Sequence, residues 1–393
     1  MKILFVANRV PYPPYRGDKL KIFNLARRLC KTNKLYLITF AETKNDLSYK
    51  KELEAIFTKV IIIYLPKWKS YLNSFFAVFG NNPLQVAYFA SSKMNNTIKN
   101  FVAKNKIDII HTQHLRMAQF TKDIEIPKIL DLPDAFSLYW KRRIDNSKNI
   151  IIKTIQKIEF KRLFEYEKNI INFFNLSLVC SVEDLDYLKS EHKSKNVNLL
   201  RNGVDLETFS SQKHDYSISD IILFTGNMDY SPNVDAVLYF SQEIFPIILN
   251  ENQNAKFIIA GQKPIKQVRK LKSDNIEVTG FVEKLSDYYN KASVVVSPLR
   301  FGAGTQNKVL EAMAMGIPVV CSNIGYAGLE VQNGEGVFLE ENAENFALKV
   351  VELLNSKEKR EVCGKKGIEI AKNKFSWDTI AVQLQNYLSE QLH

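Results

Sequence analysis

The stretch ASVVVSPLRFGAGTQNKVLEAMAMGIPVVCS, Ala292 to Ser322, reads as one repeat unit of an α/β fold. Ala292–Pro298 is a β-branched run read as a strand ending just before Arg300. Asn307–Met315 predicts a helix that Gly316 terminates, and Pro318–Cys321 predicts the next strand. Between the first strand and the helix lies the loop Phe301-Gly-Ala-Gly-Thr-Gln306, which brings unpaired backbone N–H groups to a helix N-terminus. Free amides and the helix dipole both favour negative charge at such a place, and glycine lets the backbone come close to a ligand. Gly304 and Thr305 are the loop residues expected to meet that ligand.

Lys308 and Glu311 are three residues apart and share a helix face beside this anion site. A lysine at a helix N-terminus works against the dipole unless it has an anionic partner, and a diphosphate supplies one. Glu311 repels phosphate, but its two acceptor oxygens suit a pair of vicinal hydroxyls such as those of a ribose. An anion holder and a diol holder at this spacing describe a nucleoside diphosphate. The plainer alternative is that the two side chains pair with each other, which contributes about 0.2–0.5 kcal/mol.

The same pattern extends in both directions. Lys2–Ala7, Leu35–Phe40, Val60–Tyr64, Asp108–His111, Lys128–Asp131 and Leu176–Cys180 read as strands in the first half, and Ile221–Phe224, Ala255–Ala260, Ile276–Val278 and Gly336–Leu339 join the second. Strands spaced by helices mean parallel sheets covered on both faces. With 393 residues the chain is long enough for two such domains. The polar stretch Thr208–Ser219 is read as the linker, so the expected domains are 1–207 and 220–376, followed by a last helix over 377–393.

Lys plus Arg outnumber Asp plus Glu by 54 to 42, a net charge of +12, which favours an anionic partner. The charge is spread along the chain and lacks interleaved basic and aromatic readout motifs, so nucleic acid is not the expected partner. Cys30, Cys180, Cys321 and Cys363 form no CxxC pair, which argues against a zinc site or a disulfide framework and for a reducing compartment. The apolar segment Ile3–Ala7 is too short for a signal-peptide core, and no run approaches the roughly 18 apolar residues of a spanning helix. A cytoplasmic protein is expected, with association at the inner face of a membrane left open by two segments. Trp68, Tyr71, Leu72, Phe75, Phe76 and Phe79 recur at helical spacing beside Lys67 and Lys69, as either a helix packed on the sheet or an interfacial face. Tyr139–Phe174 mixes lysines and arginines with isoleucines and phenylalanines, as either a solvated face or a contact with anionic lipid.

Lys308-Val-Leu-Glu-Ala-Met-Ala-Met-Gly-Ile-Pro-Val-Val320, with Asn202-Gly-Val-Asp205, Thr279-Gly-Phe-Val282 and Phe375-Ser-Trp377, resembles the GT-B, family 4 (group 1) retaining glycosyltransferases. Phe224–Ala236 together with Gln306-Asn-Lys308 is similar to the exopolysaccharide sugar transferases associated with exosortase systems. The resemblance implies an α/β GT-B fold, two Rossmann-like parallel-sheet domains facing each other across a cleft, with donor bound mainly by the second domain and acceptor by the first. It implies that Glu311 holds ribose hydroxyls as the second glutamate of an E-x7-E signature. It places the base near the backbone of Phe281 and Val282, puts Gly17 against the diphosphate, and returns the last helix to the first domain.

Three departures from the family pattern matter. Ala303 stands where the first signature glutamate would contact the donor sugar. Asn227 and Asn233 stand where the family often has an arginine and a lysine, which leaves Lys308 and Arg300 as the cations for the diphosphate. Where many members carry a histidine near the reacting sugar, this chain has Asp131-Leu-Pro-Asp134, so Asp131 or Asp134 takes that role. Asp134 reads equally as a helix cap ahead of Ser137. His111 and His114 close a strand whose C-terminal end would face the ligand crevice, and His111 reads either as a structural histidine or as one that touches substrate.

The expected function is therefore a hexosyltransferase that moves a sugar with retention from a nucleotide diphosphate donor of UDP or GDP type to a hydroxyl of a glycan or lipid-linked glycan acceptor, in polysaccharide or glycoconjugate synthesis. The resemblance implies no metal and no cofactor, with the acceptor proton passing to a donor phosphate oxygen. Two alternatives stay open: a GT-B nucleotide-sugar epimerase and a non-catalytic nucleotide-sugar binding protein.

Overall fold

In the computed structural model, the described residues are 1–14, 17–145, 149–210, 214–302 and 306–392. They form two compact units, Met1–Arg201 with Ile380–His393, and Asn202–Thr379.

The first unit is built on seven parallel strands: β1 (Lys2–Ala7), β2 (Lys34–Ala41), β3 (Lys59–Tyr64), β4 (Ile109–Gln113), β5 (Lys128–Asp131), β6 (Leu176–Val179) and β7 (Val197–Leu199). Their order in the sheet is β3-β2-β1-β4-β5-β6-β7. The second unit has six: β8 (Ile221–Thr225), β9 (Lys256–Ala260), β10 (Ile276–Gly280), β11 (Val294–Ser297), β12 (Val319–Cys321) and β13 (Val337–Leu339), ordered β10-β9-β8-β11-β12-β13. Both repeat the 3-2-1-4-5-6 order of a doubly wound sheet, in which the chain reverses direction of growth between its first and fourth strands. Two Rossmann-like units of this order are the GT-B architecture.

The strand sequences explain the layering. Along β8 and β11, Ile222, Phe224, Val294 and Val296 point to one face and pack on Val237, Phe240, Ile244 and Phe346. The alternate residues Leu223 and Val295 point to the other face, against Val309, Leu310, Met313 and Phe375. A strand buried on both faces needs an unbroken apolar run, which is how these segments read. In the first unit, Leu4, Val6, Ile38 and Phe40 pack on Met94, Ile98 and Phe101, and Leu130 and Val179 pack in a separate cluster with Leu163, Ile170 and Leu188.

The described residues of the expected linker 208–219 fall inside the second unit, so the division lies earlier, between Arg201 and Asn202. Val204 forms a parallel bridge with Ser376, and the Arg360 guanidinium donates to the Tyr216 carbonyl at 2.7 Å, which ties this polar stretch to the helix Lys357–Phe375. Residues 211–213 lie outside the described residues. The last helix, Trp377–Glu390, leaves the second unit after Thr379. Gln383 and Tyr387 then donate to the Leu199 carbonyl at 3.0 and 3.2 Å, both partners lying in the first unit. No described helix is long and apolar enough to cross a membrane.

Candidate active site

In open α/β sheets, ligands sit outside the carboxyl ends of the strands where the order reverses. In the second unit that place lies beyond β8 and β11. The β8 end continues into Gly226-Asn227, and the β11 end leads into the helix Asn307–Ala314. The chain is drawn tight here: a Cβ on Gly261, after β9, would meet the Gly226 carbonyl oxygen at 1.7 Å, so only glycine fits.

Lys308, in the first turn of that helix, is buried at 7% exposure. Its Nζ donates to Asn233 Oδ1 and to Gln306 Oε1, each at 3.3 Å, and lies 5.0 Å above the Phe224 ring. Asn233 is held in this orientation because its Nδ2 donates to the Asn227 carbonyl at 3.1 Å. Burial pulls the Lys308 pKa down to about 8, against the opposing pull of the Glu311 charge. The ammonium's hydrogen-bond acceptors here are thus neutral amides, and the intrahelical Lys308–Glu311 ion pair considered from sequence is not formed.

Glu311 lies one turn further along the same helix. Its Oε2 accepts from the Tyr289 hydroxyl at 2.8 Å, and that hydroxyl is within 2.8 Å of Thr225 Oγ1 at the end of β8. Burial raises the Glu311 pKa, while the Tyr289 hydrogen bond and Lys308 oppose the rise. Tyr289 is fully buried and its pKa is pushed up by burial and then by the Glu311 charge, so it stays a donor. The hydrogen bond to Oε2 fixes one oxygen of the carboxylate. Sequence reasoning missed Tyr289, because nothing in Ser286–Lys291 sets one tyrosine of the Tyr288-Tyr289 pair apart before the fold is known.

The other donor-side candidates are placed less uniformly. Asn227 is beside Lys308 through Asn233, and its Oδ1 accepts from Gln262 Nε2 at 2.9 Å. Arg300 is diverted: its guanidinium makes a bidentate pair with Asp235, with Nε 2.8 Å from Oδ2, and covers the Tyr239 ring at 4.8 Å. In this structure its charge is paired with Asp235 in a half-exposed ion pair. Phe281 is exposed and Val282 partly so, just beyond β10. Ala303, Gly304 and Thr305 lie outside the described residues.

In the first unit, Gly17 opens the 13-residue helix Gly17–Leu29, and a Cβ built on it would meet nothing within 4 Å. His111 and Asp131 are corrected by burial. His111 is fully buried against Phe5, with Nε2 3.4 Å from Asp131 Oδ2. The other Asp131 oxygen accepts from Lys21 Nζ at 2.6 Å, and Lys21 also donates to the Leu200 carbonyl. Burial works to raise the Asp131 pKa, but the Lys21 charge and His111 prevail and hold it below its usual value. Lys21 and Asp131 form a core ion pair with His111 beside it, and both His111 and Asp131 are buried from solvent in this structure. The histidine that does stand just past the end of β4 is His114, held neutral by burial and by the Arg116 charge.

Asp134 differs from Asp131. Burial and then the like charges of Asp184 and Glu167 push its pKa up to about 7, against the pull of Arg116 and Arg142. It is not the cap of the helix Phe136–Asp145: Ala135 N–H donates to Asp184, and the N–H groups of Phe136 and Ser137 donate to Glu167. Glu167 also contacts His192 and the Ser137 hydroxyl, and this fully buried serine, histidine and glutamate set secures the helix start. Among the described residues, no group of three or more His, Cys, Asp or Glu side chains is placed to hold a metal ion.

Residues 219–356 match the family profile of group 1 glycosyl transferases. An uncharacterized 44.6 kDa protein of the cps region of Klebsiella pneumoniae is 25% identical over 390 residues, spanning 96% of this chain and 95% of its own. The capsular polysaccharide biosynthesis glycosyltransferase CapM of Staphylococcus aureus is 24% identical over 283 residues, 63% of this chain and 71% of CapM. The crystal structure of HepE from Anabaena in complex with UDP shares the fold with a TM-score of 0.71, over 99% of this chain and 100% of HepE, at 14% identity. The profile match in the second unit, the relatives and the two doubly wound sheets together support a glycosyltransferase of the GT-B fold.

Proposed function

We propose that the protein transfers a hexose-type sugar, with retention and without a metal, from a nucleotide diphosphate donor of UDP or GDP type to a hydroxyl of a glycan or lipid-linked glycan acceptor in polysaccharide synthesis. The observation that carries this reading is Lys308: a buried ammonium in the first turn of an eight-residue helix, with neutral amides as its acceptors and a fixed carboxylate one turn away. Helix-start amides and Lys308 take up the charge that develops on the leaving diphosphate. Glu311 Oε1 accepts from the ribose hydroxyls, with Tyr289 holding the carboxylate in place.

In the step itself, the bond from the anomeric carbon to the donor phosphate oxygen breaks. The acceptor oxygen bonds to the same face of that carbon, and its proton passes to a phosphate oxygen of the leaving diphosphate. No enzymic base is consumed. Asp134, half protonated near pH 7, is the carboxyl group at the first unit's strand ends suited to exchange hydrogen bonds with sugar or acceptor hydroxyls. CapM acts in capsular polysaccharide biosynthesis by its name, and the HepE structure contains UDP; both agree with this reading.

The test is thermal stabilisation against UDP-, GDP- and ADP-sugars, followed by transfer to glycan acceptors with the product's anomeric configuration read by NMR. Selective stabilisation by one nucleotide series and a product of retained configuration are expected. Epimerised donor formed without acceptor would replace this reading with the epimerase, and tight donor binding without turnover would replace it with a binding protein.

A further inference from the structure

Two helices of the first unit are inside out. In Lys67–Ala77 the only fully buried residue is Ser70, while Asn73 and Ser74 turn toward the protein and donate to the carbonyls of Ala90 and Leu84. Trp68, Tyr71, Leu72, Phe75 and Phe76 are exposed, as is Phe79 just beyond the helix, at 80%. These positions recur at three and four residues, so they make one continuous aromatic stripe. The helix Ile150–Ile170 repeats the inversion in its first half. Ile150, Ile151, Ile152, Ile155 and Ile158 are exposed, whereas Gln156 and Glu159 are buried. The two helices adjoin: Arg162 donates to the carbonyls of Ala77 and Val78, and Glu159 accepts from the Gln85 N–H.

Soluble surfaces carry scattered apolar residues, not adjoining stripes of six aromatic or leucine and five isoleucine side chains over a polar inner face. The charge around them identifies what covers them. No acidic residue occurs between Glu54 and Asp108, a span that includes Lys59, Lys67, Lys69, Lys93, Lys99, Lys104 and Lys106. Lys153, Lys157 and Lys161 lie on the second helix among the isoleucines. Aromatic side chains flanked by lysines, on helices that lie along the surface and do not span, suit the boundary between headgroups and acyl chains of an anionic bilayer.

We propose that this pair of helices docks the protein on an anionic membrane surface, with the aromatic and isoleucine stripes inserted and the lysines at the phosphate level. The docking is separate from the donor site and needs neither nucleotide nor acceptor. The test is sedimentation of the full-length protein with vesicles of phosphatidylcholine alone and of phosphatidylcholine with 30% phosphatidylglycerol, with no sugar nucleotide present. Binding to the anionic vesicles, at least tenfold weaker to the neutral ones and weakened by 0.5 M salt, is expected. The Trp68→Ser, Phe76→Ser, Phe79→Ser triple variant should lose that binding at least tenfold while keeping its melting temperature and its donor affinity. Lys67→Glu with Lys69→Glu should weaken it on anionic vesicles only. Absence of vesicle binding would overturn the proposal, whether the protein then proves a monomer or a dimer that the triple serine variant dissociates. Because donor affinity is measured on the same variants, failure here and failure of the transferase reading are told apart.

Discussion

Lys308 and Lys21 are both buried lysines, and their different partners give them different consequences. Lys308 has its pKa lowered to about 8, so in the free protein it is charged below that pH and neutral above it. A bound diphosphate favours the charged form and raises this pKa. UDP affinity is therefore fully present below pH 8 and falls as pH rises through 8, by up to about tenfold per unit. Titration calorimetry from pH 7 to 9.5 checks this, and Lys308→Met should bind more weakly at pH 7 and lose the slope. Tyr289→Phe removes the hydrogen bond that fixes Glu311, and steady-state kinetics should show the donor KM rising several-fold with a smaller change in kcat. Lys21 instead neutralises Asp131 inside the first unit. Lys21→Met leaves a buried carboxylate unpaired and should cost about 3–5 kcal/mol in urea denaturation. This pair was not legible in the sequence, since its members are 110 positions apart and nothing local links them. Asp131 and His111 consequently read as site residues, although His111 lies inside β4 and only His114 lies past its end.

At the scale of elements, the β-branched runs were legible because a strand buried on both faces is mostly apolar, as are Val294, Val295 and Val296 of β11 and Phe257, Ile258 and Ile259 of β9. β7 was not, because Val197–Leu199 is three residues long, lies at a sheet edge and exposes Asn198. The helix Asn307–Ala314 followed from its glycine-rich entry and its Gly316 stop, whose φ of 75° is left-handed. The strand ends around it impose a harder constraint. Gly261 has φ 154°, and its missing Cβ would fall 1.7 Å from the Gly226 carbonyl oxygen. Gly261→Ala must push β8 and β9 apart just where Asn227 and Asn233 orient Lys308. A loss of stability of several kcal/mol is expected from thermal or urea denaturation, together with donor binding weakened beyond what the loss of folded protein explains. The inverted helices 67–77 and 150–170 show the limit of pattern reading, since helical spacing of aromatics says that a face is apolar and not which side of the molecule it is on.

At the scale of the molecule, two sheets of the same strand order follow from two runs of alternating strand and helix, each long enough to close its own core. Composition alone misplaced the division, because a polar segment can belong to a domain through its backbone, as Tyr216 does where its carbonyl accepts from Arg360 within the second unit. Function at this scale rests on the second unit's helix N-terminus as the seat of the leaving group. The most direct measurement is a crystal structure of the protein with UDP or GDP bound. The account predicts the diphosphate within hydrogen-bond distance of Lys308 Nζ and the first amides of the helix Asn307–Ala314, and the ribose hydroxyls on Glu311 Oε1. A nucleotide bound elsewhere, with Lys308 and Glu311 untouched, would contradict it.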